Sequence, residues 1–197
     1  MYRTLTELET GLHEIQASPR DEGHIEMIVR RPIKGQREVL EEGQLTLDEG
    51  LTGDCWKRHA PQLEMQINIM NSRAIAVVAG SRERWPLAGD QLFVDLDLSE
   101  SNLPPGTLLE LGSALLEITA KPHTGCSKFA GRFGPDAVQF VNSVRGRELH
   151  LRGLNARVVR SGTIRKGDTV RKVPLSPDSK EWNRAQPSKS GNIAERP

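Results

Sequence analysis

The sequence has little of three features that would each assign the chain to a class of protein. It contains only two cysteines, Cys55 and Cys126, in no CxxC pair, which excludes a disulfide scaffold and predicts reduced thiols. Its longest wholly apolar run covers residues 74–79, against the ~20 residues that cross a bilayer, so we expect no membrane partner. Residues 1–20 lack the apolar stretch of a secretory signal, which favours a cytoplasmic location.

An excess of charge of one sign is also missing. The chain carries 27 Lys and Arg against 26 Asp and Glu over 197 residues, so it has no general attraction for polyanions, and nucleic acid is not expected as a partner. The motifs GxGxxG, GxxxxGK[ST] and GxSxG are all absent from the sequence, so neither a nucleotide site nor a serine hydrolase has motif support. The length suits one globular domain.

The first segment predicts a short amphipathic helix. Apolar residues recur at spacings of three and four through Leu5, Leu8, Leu12 and Ile15. Thr4 and Glu7 fit a capping box at the start of this helix, and Pro19 marks its end.

The rest of the chain predicts a mainly β domain. Alternating or β-rich segments indicate strands at residues 25–29, 37–40, 63–69, 92–98, 108–111, 114–119, 156–160, 163–165 and 170–173. Helices are predicted at 74–79, capped by Ser72, and from Pro135, with Ala137, Val138, Val141 and Val144 buried; residues 41–54 and 123–134 are predicted as loops. Many short strands favour a barrel or sandwich. We expect a helical extension at 1–23, the domain at 24–173 and a disordered tail at 174–197.

The segment 121–132 contains the most informative chemistry. It places Cys126 beside His123 and three fixed cations, Lys121, Lys128 and Arg132. Nearby positive charge favours the thiolate, which is both a nucleophile and a soft metal ligand, and the same cations suit a phosphate or another oxyanion. The alternative is an inert, buried cysteine among solvated surface cations.

Two other groups of residues could bind a ligand. Asn71, Ser72 and Arg73 lie where a predicted strand leads into a helix, a position that suits anions, although ordinary capping by Ser72 explains them equally well. A Cys₂His₂ zinc site is the other hypothesis, since the ligand count is met by Cys55, His59, His123 and Cys126. No pair of these has zinc-finger spacing, and nothing local brings the two loops together.

An ordered set of short motifs resembles a known family, the MOSC domain, which also forms the C-terminal part of eukaryotic molybdenum cofactor sulfurases. The resemblance covers roughly residues 24–173, and its motifs occur in the family's order, which makes accidental agreement improbable. The motifs are Gly50-Leu51-Thr52-Gly53-Asp54, Gln66-Ile67-Asn68-Ile69-Met70-Asn71, Ser99-Glu100-Ser101-Asn102-Leu103, Leu111-Gly112-Ser113-Ala114-Leu115-Leu116-Glu117-Ile118, Pro122-His123-Thr124-Gly125-Cys126 and Gly162-Thr163-Ile164-Arg165-Lys166-Gly167-Asp168.

The resemblance implies a MOSC-type β-barrel with a few short peripheral helices, and a cysteine that carries persulfide sulfur or ligates molybdenum in a bound pterin cofactor. Cys126 matches that cysteine, and the other polar positions of the family fall on Asp54, Asn71, Arg73 and Asn102. The motif Pro-His-Thr-Gly-Cys differs from the shorter Pro-Cys motif of relatives that reduce N-hydroxy compounds. The resemblance therefore leaves the choice between activities open.

Within this resemblance we expect molybdenum cofactor (molybdopterin) to bind through Cys126. Its phosphate is expected on Arg73 with Lys128 or Arg132, its pterin edges on Asn71 and Asn102, and further contacts on Asp54, Lys121 and His123. One activity that this implies is reduction of N-hydroxylated substrates, with electrons from a partner redox protein. The other is a role as a carrier of sulfur or of the cofactor. The chain is too short to hold the pyridoxal-phosphate domain of full-length sulfurases, so sulfur is expected from a separate desulfurase. A zinc-stabilised or metal-free barrel that acts as a non-enzymatic binding module is the alternative.

Overall fold

The computed structural model describes residues 2–58 and 62–173. The chain begins with two short helices, α1 (Leu5–Thr10) and α2 (Leu12–Gln16). The predicted capping box is confirmed, because the Thr4 side chain accepts a hydrogen bond from the Glu7 backbone while the Glu7 carboxylate accepts one from the backbone N–H of Thr4. Leu8 and Ile15 are buried, so the helices lie against the rest of the protein.

Seven strands close into a barrel, which confirms the predicted fold class. Around the ring the order is β1, β6, β5, β9, β8, β7 and β11, and β11 pairs again with β1. Neighbours are antiparallel except for β5 and β6, which are parallel. The strands of the ring are β1 (Glu22–Arg30), β5 (Ile67–Asn71), β6 (Leu92–Asp95), β7 (Leu108–Leu111), β8 (Ala114–Ile118), β9 (Leu154–Arg160) and β11 (Thr169–Val173).

Four further strands lie outside the ring. β2 (Glu38–Leu40) extends the sheet beyond β1, and a separate three-stranded sheet has the order β10, β3, β4. The strands of this small sheet are β3 (Glu42–Thr46), β4 (Gly50–Leu51) and β10 (Gly162–Arg165). Its buried Leu45, Leu51 and Ile164 belong to the same hydrophobic cluster as the barrel interior.

Alternation along the strands produces two hydrophobic clusters, one inside the barrel and one outside it. In β6, Leu92 and Val94 join the interior cluster, whereas Phe93 between them joins the outer one. The outer cluster is completed by residues of the helices, among them Phe129 and Phe133. The helices therefore cover one outer face of the barrel.

The remaining helices are short. They are α3 (Ser72–Ala79), α4 (Ser127–Phe133), α5 (Pro135–Asn142) and α6 (Val144–Glu148), with 3₁₀ turns at Trp56–Arg58, Leu63–Met65 and Arg82–Ala88. Gly80 ends α3 with φ +78°, as the sequence predicts, but the N-cap is Asn71 rather than Ser72, since Asn71 Oδ1 accepts from the Ala74 N–H at 2.9 Å. In the described part of the chain, no helix combines the length and apolar character that a bilayer span requires.

Four sequence predictions of local structure are wrong. Residues 41–54 contain β3 and β4, which depend on pairing with each other and with the distant β10. Residues 63–65 form a 3₁₀ turn with Leu63 exposed, so the strand begins only at Ile67. Residues 127–133 form α4, a helix of two turns whose buried face is only Phe129 and Phe133. Val144 is 79% exposed because it begins α6 instead of continuing α5.

The predicted disordered tail lies outside the described residues. The division into an extension at 1–23 and a domain at 24–173 stays a prediction, although Leu8 and Ile15 of the extension belong to the outer cluster.

Candidate functional site

A large open cavity lies where the loop after β1, the end of the 3₁₀ turn at Arg82–Ala88 and the start of α4 meet. Its volume is about 760 Å³, within the range of sites for small molecules and cofactors. Six of its lining side chains are cations and none is a carboxylate. We call it the cation-lined cavity; its polar and sulfur-containing lining residues are Arg31, Lys34, Arg37, Cys55, Asn68, His123, Cys126, Lys128, Arg132 and Arg152.

Four arginines are held around this cavity by four consecutive backbone carbonyls. These carbonyls, at residues 86–89, are called the carbonyl run; they lie at the C-terminal end of the 3₁₀ turn, where most backbone carbonyls lack a helical partner. The hydrogen bonds are Arg37 Nε to Pro86 O at 2.8 Å, Arg132 Nη1 to Leu87 O at 2.7 Å, Arg152 Nη2 to Ala88 O at 3.1 Å and Arg31 Nη1 to Gly89 O at 2.7 Å. One backbone segment thus fixes guanidinium groups from three separate parts of the chain.

Only two of the six cations have carboxylate partners among the described residues. Asp54 accepts from Arg31 at 2.8 and 2.9 Å, and Asp90 accepts two bonds from Arg152 Nη1 at 2.8 and 2.9 Å. Both carboxylate side chains are fully buried behind the arginines. The other four cations, two lysines and two arginines, form no ion pair with a described residue, so the cavity carries net positive charge.

The crowding of these cations affects their own ionisation. Burial lowers the pKa of Arg37, and repulsion from Arg132 and Arg31 lowers it further. A bound anion would relieve this repulsion, because each guanidinium would then face a negative charge.

Cys126 is exposed at the edge of the cavity, immediately before α4. Partial burial is the largest single influence on its pKa and raises it, but the backbone N–H groups of Phe129 and Lys128 and the charges of Arg152 and Lys128 outweigh burial, and the pKa of the thiol falls below its usual value. Cys126 occupies the N-cap position of α4, but its side chain makes no capping hydrogen bond of standard geometry.

His123 is also in the lining, but it does not add to the cations there. Burial lowers the pKa of His123 to about 4; attraction by Asp90 opposes this shift, and repulsion from Arg152 and Arg31 adds to it. The imidazole is therefore neutral at physiological pH and cannot stabilise a thiolate by its charge.

The structure places the other predicted site residues as follows. Lys128 and Arg132 line the cavity with Cys126 and His123, and Asp54 lies behind Arg31 as its carboxylate partner. Lys121 lines a smaller neighbouring cavity of about 270 Å³, which shares His123 and Arg152 with the larger one.

Three predicted contacts lie elsewhere and are corrected here. Arg73 pairs with Asp95 through two hydrogen bonds at 2.7 and 2.9 Å, Asn71 caps α3 and donates to Leu96 O, and Asn102 donates to the carbonyls of Arg20 and Asp97. None of the three lines the cation-lined cavity. Their polar groups are used to fix loops and a helix end, so the roles predicted for them in binding phosphate or pterin are not supported by their positions.

Several residues of the cavity have no local sequence signal. Arg31 and Arg37 lie far from Arg152 in the chain and in no recognisable motif, and Asp90 gives no indication of its pairing with Arg152 until the barrel is formed. Cys55 was identified only as a zinc ligand, and the structure places it in the cavity lining with Cys126. His59 of the hypothetical zinc site lies outside the described residues, and within 2–58 and 62–173 no three His, Cys, Asp or Glu side chains are grouped to hold a metal ion.

The exposure of Cys126 and its lowered pKa predict a difference in reactivity between the two thiols. In metal-free protein, Cys126 should be alkylated at least several-fold faster than the half-buried Cys55, and its rate should stay high as the pH falls below the usual thiol pKa. Peptide mass spectrometry over a pH series measures both rates. In denatured protein the two rates should converge, and equal rates in the folded protein would contradict the prediction.

Together, these observations define a mainly β barrel protein with an exposed thiol of lowered pKa at the edge of a cation-lined cavity. The model of the MOSC domain matches residues 56–171, more than half of the chain, and the chain belongs to this family. The family predicted from the ordered motifs is thereby confirmed.

Three solved structures have a similar fold. The YUAD protein from Bacillus subtilis has a TM-score of 0.54 at 16% identity over 76% of this chain and 94% of that one. YiiM from Escherichia coli has a TM-score of 0.53 at 20% identity, over 78% and 71%, and YiiM from Geobacillus stearothermophilus 0.50 at 16% identity, over 77% and 73%. At these identities the likeness shows the fold alone. Among curated proteins no significant match is found.

Proposed function

We propose that this protein binds molybdenum cofactor in the cation-lined cavity, with Cys126 as the sulfur ligand, and that it acts in sulfur transfer or in reduction of N-hydroxylated substrates. The observation that supports this most directly is the coincidence of an exposed thiol of lowered pKa with six cations in one cavity. A soft metal or a sulfane sulfur needs the thiolate, and a pterin phosphate needs the cations.

The residues of the cavity fit such a group. The volume of about 760 Å³ is sufficient for a cofactor, and the lining offers an excess of positive charge that is not neutralised by described carboxylates. Arg37 and Arg132 would hold the phosphate, because the carbonyl run already fixes their guanidinium groups and leaves several of their N–H donors to a ligand, whereas Arg31 is largely engaged by Asp54. When bound, the cofactor would supply a metal centre that cycles between oxidation states.

The protein's own part in sulfur transfer follows from the state of Cys126. Its thiolate would attack the outer sulfur of a donor persulfide, the sulfur–sulfur bond of the donor would break, and the donor would leave as a thiolate. The product is a persulfide on Cys126. The donor would be a separate desulfurase; in the reductase version, a partner redox protein would supply electrons instead.

The decisive experiment compares wild type with Cys126→Ser after expression in a host that makes molybdenum cofactor. Elemental analysis and intact mass of freshly purified wild type should show molybdenum or a mass increase of one sulfur, and Cys126→Ser should show neither. The two proteins should have the same circular dichroism spectrum, which shows that the fold is unchanged. Serine is nearly the same size as cysteine but does not provide a thiolate.

The outcomes separate the possible roles. Stoichiometric molybdenum with turnover of an N-hydroxylated base supports the reductase, and persulfide without turnover supports the carrier. Equal molybdenum content in both proteins contradicts ligation by Cys126. Absence of both molybdenum and persulfide from wild type, or the presence of zinc, favours the non-enzymatic binding module.

A further inference from the structure

We propose that His123 determines which ligands the cation-lined cavity accepts, by receiving at Nε2 a hydrogen bond from an O–H or N–H group of the bound anion. The inference concerns the same cavity as the proposed function and deepens it, but it does not depend on the identity of the cofactor. It rests on which groups of the cavity lining can donate a hydrogen bond and which can accept one.

Nearly all polar side chains of the described lining can only donate. The six cations have no acceptor atoms. Asn68 donates to Asn155 Oδ1 at 2.6 Å, and its own Oδ1 faces Arg31 Nη1 at 3.5 Å. As thiols, the two cysteine sulfurs are weaker acceptors than nitrogen or oxygen, and as a thiolate Cys126 repels a bound anion.

The nearest backbone acceptors are also occupied. Each of the four oxygens of the carbonyl run already accepts a hydrogen bond from one of the four arginines. A ligand that enters with an O–H or N–H group therefore meets few groups that can accept it, and a buried, unpaired donor lowers affinity.

His123 Nε2 supplies the missing acceptor. The Nδ1 atom is buried and lies 3.5 Å from Asp90 Oδ1 without a hydrogen bond of good geometry, and Nε2 makes no hydrogen bond with a described residue. A carboxylate can only accept, so Asp90 favours the tautomer with the proton on Nδ1 and the lone pair on Nε2. The distance exceeds that of a good hydrogen bond, as is common in sites that tighten when the ligand enters.

Arg152 acts as the positioning residue for this arrangement. It is 7% exposed, and its two bonds from Nη1 fix both oxygens of Asp90. Its guanidinium also stacks on Phe129 at 4.9 Å from the ring centroid, which prevents it from following a ligand into the cavity. Burial lowers the pKa of His123 and so keeps a second proton off the imidazole, and the positive charges of Arg152 and Arg31 add to this effect.

The consequence is selection between anions of equal charge and similar shape. Hydrogen phosphate carries one O–H and can donate to Nε2, whereas sulfate has no proton to donate. A site built around an acceptor discriminates against the analogue that lacks the donor.

Binding of inorganic phosphate and sulfate to metal-free protein at about pH 8, where phosphate is mainly the hydrogen phosphate dianion, tests the inference. Isothermal titration should show that wild type prefers phosphate by about tenfold to a hundredfold, the expected effect of one charge-assisted hydrogen bond. His123→Phe should lose the preference, and His123→Gln, which provides an acceptor oxygen, should recover part of it. Arg132→Gln should weaken both anions and keep the preference. Equal affinities in wild type, failure of phosphate to bind, or a preference that survives in His123→Phe would overturn the proposal.

The tautomer provides a second measurement. Nitrogen-15 NMR of wild type labelled at histidine should show a protonated Nδ1 and an unprotonated Nε2 for His123; a proton on Nε2 would overturn the proposal. Both measurements use protein without cofactor, and neither the anion preference nor the tautomer requires molybdenum or sulfur on Cys126. A failure of the proposed function at Cys126 is thereby distinguishable from a failure of this assignment.

Discussion

Replacing Asp90 with asparagine should lower the free energy of unfolding by about 3–5 kcal/mol, which is the usual effect of removing one partner of a buried ion pair. The Asp90 side chain is fully buried, and it neutralises Arg152, which is itself almost completely buried. Without the carboxylate, a guanidinium remains in the interior with no counter-charge. For a domain of this size the melting temperature should fall by roughly 6–20 °C, measured by calorimetry or by circular dichroism.

Two further variants give the prediction its controls. Glu38→Gln removes the carboxylate of an exposed ion pair with Arg30 and should change stability by less than about 1 kcal/mol. The double replacement Asp90→Leu with Arg152→Met removes both buried charges and should be clearly more stable than Asp90→Asn. If Asp90→Asn were as stable as Glu38→Gln, the buried pair would have no structural importance.

Removing two unpaired arginines of the cavity together should produce the largest loss of ligand affinity. In Arg37→Gln with Arg132→Gln, two guanidinium groups that have no described carboxylate partner are neutralised, and each charge-assisted hydrogen bond to an anion contributes about 1.5–3 kcal/mol. Affinity for a bound phosphate group should therefore fall by about 10² to 10⁴. Titration with pyrophosphate and the molybdenum content of purified protein both measure the loss.

Arg73→Ala is the matched control for this experiment. It also removes one arginine, but one that is bound to Asp95 outside the cavity. Its anion affinity should equal that of wild type. A loss in Arg73→Ala as large as in the double variant would show that the phosphate binds at the strand-to-helix junction, as the sequence predicts.

The contrast between Arg73 and Arg152 shows which parts of the structure can be predicted from the sequence. The capping box at Thr4 and the glycine stop of α3 are local, and each follows from the identity and spacing of neighbouring residues. The faces of β1 do not follow in this way, because an irregularity between Ile25 and Met27 puts Ile25 inside the barrel and Met27 outside it. The roles of arginines depend on partners distant in the chain: Asp95 takes Arg73 away from ligand binding, and Asp90 holds Arg152 within it.

For Cys126, the local sequence predicts the direction of the change, because the structure also gives a lowered thiol pKa. The causes are only partly those that the sequence indicates. The flanking Lys128 contributes as expected. The predicted charge on His123 does not, because burial and two arginines keep the imidazole neutral. Burial and long-range charge are properties of the folded molecule, and the local sequence contains neither.

The carbonyl run couples the local stability of one short segment to the occupancy of the cavity. Opening residues 86–89 would break one hydrogen bond of each of the four arginines, and Arg37 and Arg132, which have no described carboxylate partner, would lose their fixed positions. The anion and the closed segment therefore stabilise each other by thermodynamic linkage. The free energy by which a bound anion stabilises the closed segment equals the free energy by which closure of the segment strengthens anion binding. Amide exchange around Gly89 should therefore become slower as the cavity fills with an anion.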